Sequence, residues 1–155
     1  MRQKFYPTSY AEGKRRYAFG MILVSVLSIV NFFLLKANLV FAFALQFPML
    51  FPAVFTAYFP SLALYGYLIG ILFVLPFIVF SILSFRYVWP WVGMLVLTVL
   101  DMVLLLMFCD FADCVFHVAF HLWMLVDLGI GLYYAIGEKK VLRNAASADD
   151  DEAYL

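Results

Sequence analysis

The chain has 155 residues, of which 67% are hydrophobic and 13% are charged, and its ten basic and ten acidic residues give a net charge of zero. Soluble domains carry about 25% charged residues, so this composition excludes an ordinary soluble domain and indicates a protein of the lipid bilayer. The basic residues flank apolar segments without a basic and aromatic groove, which argues against nucleic-acid binding, and two cysteines are too few for a disulfide scaffold.

The first predicted element is a basic segment, residues 1–16, which carries five of the ten Lys and Arg residues. The first predicted transmembrane helix follows at residues 17–35. This apolar segment is longer than the core of a signal peptide and lacks a small-x-small cleavage site, so we expect it to remain as an anchor. Ser25, Ser28 and Asn31 recur along it at a spacing that predicts hydrogen bonds between helices.

A second apolar segment, residues 39–60, is long enough to cross the membrane but contains Pro48, Pro52 and Pro60. Each proline removes a backbone donor and clashes with the preceding helical turn. We therefore expect a re-entrant or interfacial segment that breaks near Pro48 to Pro52, with both ends on the outer side. Two roles remain open for it, a hydrophobic lid on the bundle and a loop that lines a cavity, as broken helices do in transporters.

Three more transmembrane helices are predicted at residues 62–85, 89–108 and 115–136, because about 20 apolar residues span the hydrocarbon core as a helix. The second helix contains Gly66 and Gly70, whose spacing predicts close helix packing, more often within the chain than between copies. Residues 137–155 end in an acidic run and are predicted to be a disordered cytoplasmic tail.

The distribution of Lys and Arg sets the expected topology. With four spans and a cytoplasmic N-terminus, nine of the ten basic residues lie inside and only Lys36 lies outside. If residues 39–60 also crossed, the count would be five against five, so the positive-inside bias favours four spans. The predicted fold class is an all-α integral membrane protein of the cell membrane, with four transmembrane helices and both termini cytoplasmic.

A polar cluster occupies the last two predicted spans. At about 100° per residue, Asp113, His117, His121 and Asp127 share one face of the fourth helix. Asp101 in the third helix lies at a similar depth, about 10–12 Å below the outer surface at 1.5 Å per residue. Because a short loop makes these two helices antiparallel neighbours, we expect a contact between Asp101 and His121.

Three roles compete for this polar face. His117 and His121, at i and i+4, could bind a divalent transition metal together with Asp113 or Asp101. The pattern is weakly specific, because Val118 follows His117 where a zinc protease has glutamate. The face could instead relay protons between histidine and aspartate, or it could serve only as a hydrogen bond that joins two helices.

Cys109 and Cys114 flank the predicted outer loop and could form a disulfide if that side is oxidising. The chain lacks the Cys-x-x-Cys pair or second cysteine pair expected of a membrane thiol oxidoreductase. The sequence predicts a protein that handles a cation or small solute, as a homo-oligomer or as a subunit of a transport complex. A non-catalytic scaffold is the alternative, followed by a membrane-embedded enzyme, for which no nucleophile and base pair is evident.

Overall fold

The computed structural model describes residues 5–35, 45, 47–108 and 111–152. Within these residues the protein consists of five α-helices and one 3-10 turn at Pro60–Leu62. The helices are α1 (Phe5–Leu35), α2 (Phe47–Tyr58), α3 (Ala63–Leu83), α4 (Trp89–Phe108) and α5 (Phe111–Glu152). The expected all-helical class is confirmed.

Four of the helices are long and apolar enough to cross a bilayer, over Ser9–Leu34, Pro60–Leu83, Trp89–Met107 and Val115–Ser147. The fifth, α2, has 12 residues. At 1.5 Å per residue it is about 18 Å long, well short of the roughly 30 Å of the hydrocarbon core. The protein is therefore a multi-pass membrane protein with four spans and a short apolar helix after the first.

The four long helices form a closed bundle, because α1 packs against α3 and α5, and α4 also packs against both. Its centre is filled by large side chains that are completely buried, among them Phe77, Trp91, Met94, Met124 and Leu128. Most of the exposed large side chains on the long helices are apolar. They suit contact with lipid, since a bilayer offers no hydrogen-bond partners to polar groups.

One end of the bundle joins the beginning of α1 to the end of α5. There the Lys14 ammonium forms an ion pair with the Glu138 carboxylate, and the Tyr17 ring stacks on the Tyr134 ring with centroids 5.9 Å apart. Arg86 and Lys139 lie at the same end, in one cavity with this ion pair. We call it the basic end.

The helix α2 begins at Phe47, directly before Pro48, and ends at Tyr58, before Pro60. It continues through Pro52, so the break expected near Pro48 to Pro52 does not interrupt it. Pro48 lies in the first turn of α2, where a backbone N–H has no partner within the helix. Pro52 lies inside α2 and cannot bond the Pro48 carbonyl. That carbonyl faces Gly70 of α3 instead, where a Cβ would come within 2.6 Å of its oxygen.

The short helix α2 lies along α3 over the two glycines that the sequence singles out. A Cβ on Gly66 would be 2.7 Å from the Cβ of Phe55 and 2.8 Å from the carbonyl oxygen of Phe51. The glycine pair therefore lets a neighbouring helix of the same chain approach closely. At the start of the segment, the Leu45 N–H donates to the Ser28 Oγ of α1 at 3.0 Å, which joins α2 to the bundle on a second side.

Two helices are longer than the sequence predicts. The basic segment is helical from Phe5, so α1 begins 12 residues before position 17. At the other end, α5 begins at Phe111 and continues through the expected disordered tail to Glu152. Residues 138–146 contain no proline or glycine and consist mainly of Glu, Lys, Arg, Leu and Ala, which favour helix even in water.

Candidate functional site

The structure contains the expected contact between Asp101 of α4 and His121 of α5. The Nε2 atom of His121 lies 2.5 Å from the Oδ2 atom of Asp101. The His121 side chain is completely buried, and Asp101 is 7% exposed. The two residues meet because α4 and α5 are antiparallel neighbours joined by a short connection.

The second ring nitrogen of His121 fixes where the protons of the pair lie. Its Nδ1 atom is 2.6 Å from the backbone carbonyl oxygen of His117, one helical turn earlier. A carbonyl oxygen only accepts, so Nδ1 must carry a proton and donate it. One further proton then lies in the hydrogen bond between Nε2 and Oδ2. The pair is either an imidazolium with a carboxylate or a neutral imidazole with a protonated carboxyl, and its net charge is zero in both forms.

This neutrality explains how an aspartate can occupy the middle of α4. An Asp at the centre of a membrane helix costs about 2.5–3.5 kcal/mol on insertion scales. The His121 contact supplies the partner that lowers this cost. The nearby hydroxyl of Thr98 donates to the Met94 carbonyl of its own helix at 2.9 Å. Thr98 therefore satisfies its hydrogen bond without the pair.

A small cavity of about 50 Å³ lies against Asp101 between α2, α3 and α4. Apart from Asp101 its lining is apolar and includes Leu45, Pro48 and Phe77. Leu45 and Pro48 of the segment with the prolines thus lie against this cavity, and both roles that the sequence leaves open for the segment stay predictions. The sequence does not identify Phe77 as a neighbour of the site, because an apolar side chain among many apolar residues has no distinguishing pattern.

The remaining members of the polar face are His117, Asp127 and Asp113. His117 contributes its backbone carbonyl, and its side chain is half-buried. Asp127 is half-buried, and the charge that acts on it belongs to Arg16 of α1. Asp127 lies six positions after His121, which is about 9 Å along the helix axis. Asp113 lies in α5, but its side chain is outside the described part of the chain.

The metal and disulfide predictions depend partly on side chains that the structure does not describe. Among the described residues, no three His, Cys, Asp or Glu side chains come together as metal ligands. The proposed ligand set of His117, His121 and Asp113 stays a prediction, because Asp113 belongs to the undescribed side chains. The same holds for the disulfide, since the side chains of Cys109 and Cys114 also lie outside the described set.

The chain is thus a small polytopic membrane protein, and its described residues include a buried pair of aspartate and histidine between two of its spans. Comparison of the chain with protein-family models, with curated proteins and with solved structures found no match.

Proposed function

We propose that the protein handles a cation, the proton included, through the Asp101–His121 pair between α4 and α5. The observation that carries the proposal is the contact of Nε2 with Oδ2 at 2.5 Å between two buried side chains, a distance that requires a proton between the two atoms. A buried carboxylate and imidazole are the groups that membrane proteins use to pass protons near neutral pH.

Loss of that proton would change the charge of the site. The proton would leave from between Nε2 and Oδ2, so that Oδ2 keeps a negative charge and Nε2 keeps a lone pair. A net negative charge inside a bilayer is costly unless a cation balances it. The pair is therefore suited to exchange its proton for another small cation, and the cavity of about 50 Å³ beside Asp101 offers the space.

A pathway through the membrane needs groups on both sides of the pair. Asp127 lies about 9 Å from His121 along α5, in the direction of the basic end, and Arg16 acts on its charge. Asp113 lies on the opposite side in sequence. We propose that these two aspartates receive or deliver the cation. Because the cavity at the pair holds only a few water-sized groups, a second copy of the chain or another membrane subunit would complete the pathway.

The test is cation flux in liposomes that contain the purified protein and an enclosed pH-sensitive dye. A potassium diffusion potential imposed with valinomycin should drive proton flux above that of empty liposomes. Replacement of either partner, Asp101→Asn or His121→Gln, should reduce this flux by about tenfold or more, as loss of a proton-transfer group typically does.

The matched control is Thr98→Val, which removes a buried polar group one turn from Asp101 and leaves the pair intact. It should conduct like the unmodified protein. Unmodified protein that conducts no more than empty liposomes, under proton and metal-cation gradients alike, would contradict the proposal. Equal flux in Asp101→Asn and in the unmodified protein would contradict it as well.

A second candidate is a non-catalytic membrane subunit in which the pair only joins two helices. The complete burial of His121 favours it, because a sealed hydrogen bond gives a solute no direct access. In that case the double variant Asp101→Leu with His121→Leu should keep its fold and its partners, since apolar replacements remove both polar groups at once. Affinity purification of the double variant with the same partner proteins as the unmodified chain would support this candidate.

A further inference from the structure

A second cavity, of about 330 Å³, lies at the basic end of the bundle. It is formed by the beginning of α1, the turn between α3 and α4, and the end of α5. Four charged side chains line it, Lys14, Arg86, Glu138 and Lys139. The cavity is far from the Asp101–His121 pair, which contributes no residue to its lining.

The charges of this cavity do not cancel. Lys14 is 6% exposed and is neutralised by its ion pair with Glu138. Arg86 and Lys139 are both exposed, and in the described part of the chain neither has a carboxylate at ion-pair distance. The cavity therefore carries an excess of two positive charges, held near a carboxylate that is already paired.

The remaining lining is aromatic and apolar. Tyr87, Trp89 and Leu142 are among the lining residues, and the Arg86 guanidinium carbon lies 5.6 Å from the centre of the Tyr87 ring. A turn between two membrane-spanning helices must lie at a membrane boundary, where Tyr and Trp rings are enriched. The cavity thus combines two free cations with an apolar wall at the depth of lipid headgroups.

We propose that this cavity binds a phosphate group of net negative charge, carried by an anionic lipid headgroup or by free phosphate. Guanidinium groups donate paired hydrogen bonds to phosphate oxygens, and a lysine ammonium adds a mobile point charge. The volume is at the lower end of the range of about 300–1,000 Å³ that small-molecule sites occupy. The Lys14–Glu138 pair holds α1 to α5 and keeps the Glu138 carboxylate from repelling the ligand.

Native mass spectrometry of the full-length protein in a neutral detergent can test this site. Phosphatidylglycerol and phosphatidylcholine are added at equal concentration, and inorganic phosphate is titrated separately by calorimetry. The cavity variant is Arg86→Gln with Lys139→Gln. The control is Lys140→Gln with Arg143→Gln, which removes the same charge from exposed positions on α5 that do not line the cavity.

The unmodified protein should retain one phosphatidylglycerol, or one inorganic phosphate, and the cavity variant should bind that ligand about tenfold more weakly or worse. The control variant should bind the same ligand within about twofold of the unmodified protein. Lys140 and Arg143 can attract anionic groups at the membrane interface, but they do not form a defined site. Preference for the lipid identifies a headgroup as the source of the phosphate, and binding of inorganic phosphate alone identifies the free ion. Equal weakening in both double variants, or no binding of either ligand, would overturn the proposal.

Discussion

The pair of Asp101 and His121 determines what each substitution at these positions should cost. His121→Ala leaves the Asp101 carboxyl buried without its imidazole partner. We expect the free energy of unfolding to fall by about 1–3 kcal/mol, the usual cost of a buried polar group that loses its hydrogen bond. Asp101→Ala should cost a similar amount, because it leaves Nε2 of His121 without its partner. Equilibrium unfolding in detergent micelles measures both.

The double variant Asp101→Ala with His121→Ala should be less destabilised than the sum of the two single variants. Coupling energies of polar pairs between membrane helices average about 0.6 kcal/mol and reach about 1.7 kcal/mol. His117→Ala is the control, because it keeps the backbone carbonyl that accepts from Nδ1. Additive effects of the two single variants would mean that the contact does not stabilise the protein.

The Asp101–His121 contact could be predicted from the sequence because it depends on local geometry only. A short connection makes two helices antiparallel, and the rise per residue then sets which side chains are level. The ion pair of Lys14 with Glu138 could not be predicted, because 124 residues separate the two and the pairing depends on how α1 and α5 pack.

Among the elements of the fold, α2 packs closely against α3, and Gly70 permits this close approach. Gly70→Ala would bring a Cβ within 2.6 Å of the Pro48 carbonyl oxygen and 2.9 Å of the Phe32 ring. Because the first of these atoms belongs to the backbone, α2 must shift. We expect a loss of about 1–3 kcal/mol in the free energy of unfolding, the typical cost of overpacking.

The control for this substitution is Gly129→Ala in α5, where nothing lies within 4 Å of the added Cβ. Alanine favours helix over glycine by about 0.8–1.0 kcal/mol, so this variant should be unchanged or more stable. The pair of variants thus separates close packing from helix propensity. If Gly70→Ala and Gly129→Ala change the free energy of unfolding equally, then α2 does not pack closely against α3 in the membrane.

The helices α2 and α5 show where proline content and polar composition are ambiguous guides to structure. Three prolines predict a break, but the position of each proline within the helix decides its effect. Pro48 removes no helical bond, and the carbonyl that Pro52 leaves unbonded lies against Gly70. The extension of α5 to Glu152 has a related cause. Polar composition indicates exposure to water, whereas the absence of proline and glycine after Gly137 permits a solvated helix.

Over the whole molecule, hydropathy and charge were sufficient to predict four spans, while the order in which the helices surround the core was not predictable. Hydropathy predicts how many segments can cross the membrane, and proline content distinguishes the short helix α2 from the transmembrane helices. The closed arrangement of α1, α3, α4 and α5 depends on the shapes of buried side chains such as Trp91, which rests on Gly131. No periodic pattern in the sequence encodes that contact.

The orientation of the molecule in its membrane is the last prediction. Lys14, Arg86 and Lys139 lie together at the basic end. Nearly all the positive charge is therefore on whichever side of the membrane this end faces. The positive-inside bias places this end in the cytoplasm. The turn between α2 and α3 must then lie outside, because α3 leads from that turn to Arg86.

Two cysteine reporters test this orientation in a background in which Cys109 and Cys114 are replaced by alanine. Tyr58→Cys lies at the exposed end of α2, and Asn144→Cys lies on the exposed end of α5. A membrane-impermeant maleimide added to intact cells should label Tyr58→Cys and leave Asn144→Cys unlabelled, whereas permeabilised cells should show both labelled. The reverse pattern would place the basic end outside and with it the cavity of Arg86 and Lys139. Labelling of both reporters in intact cells would mean that the two positions share one side, which would exclude the arrangement of spans described above.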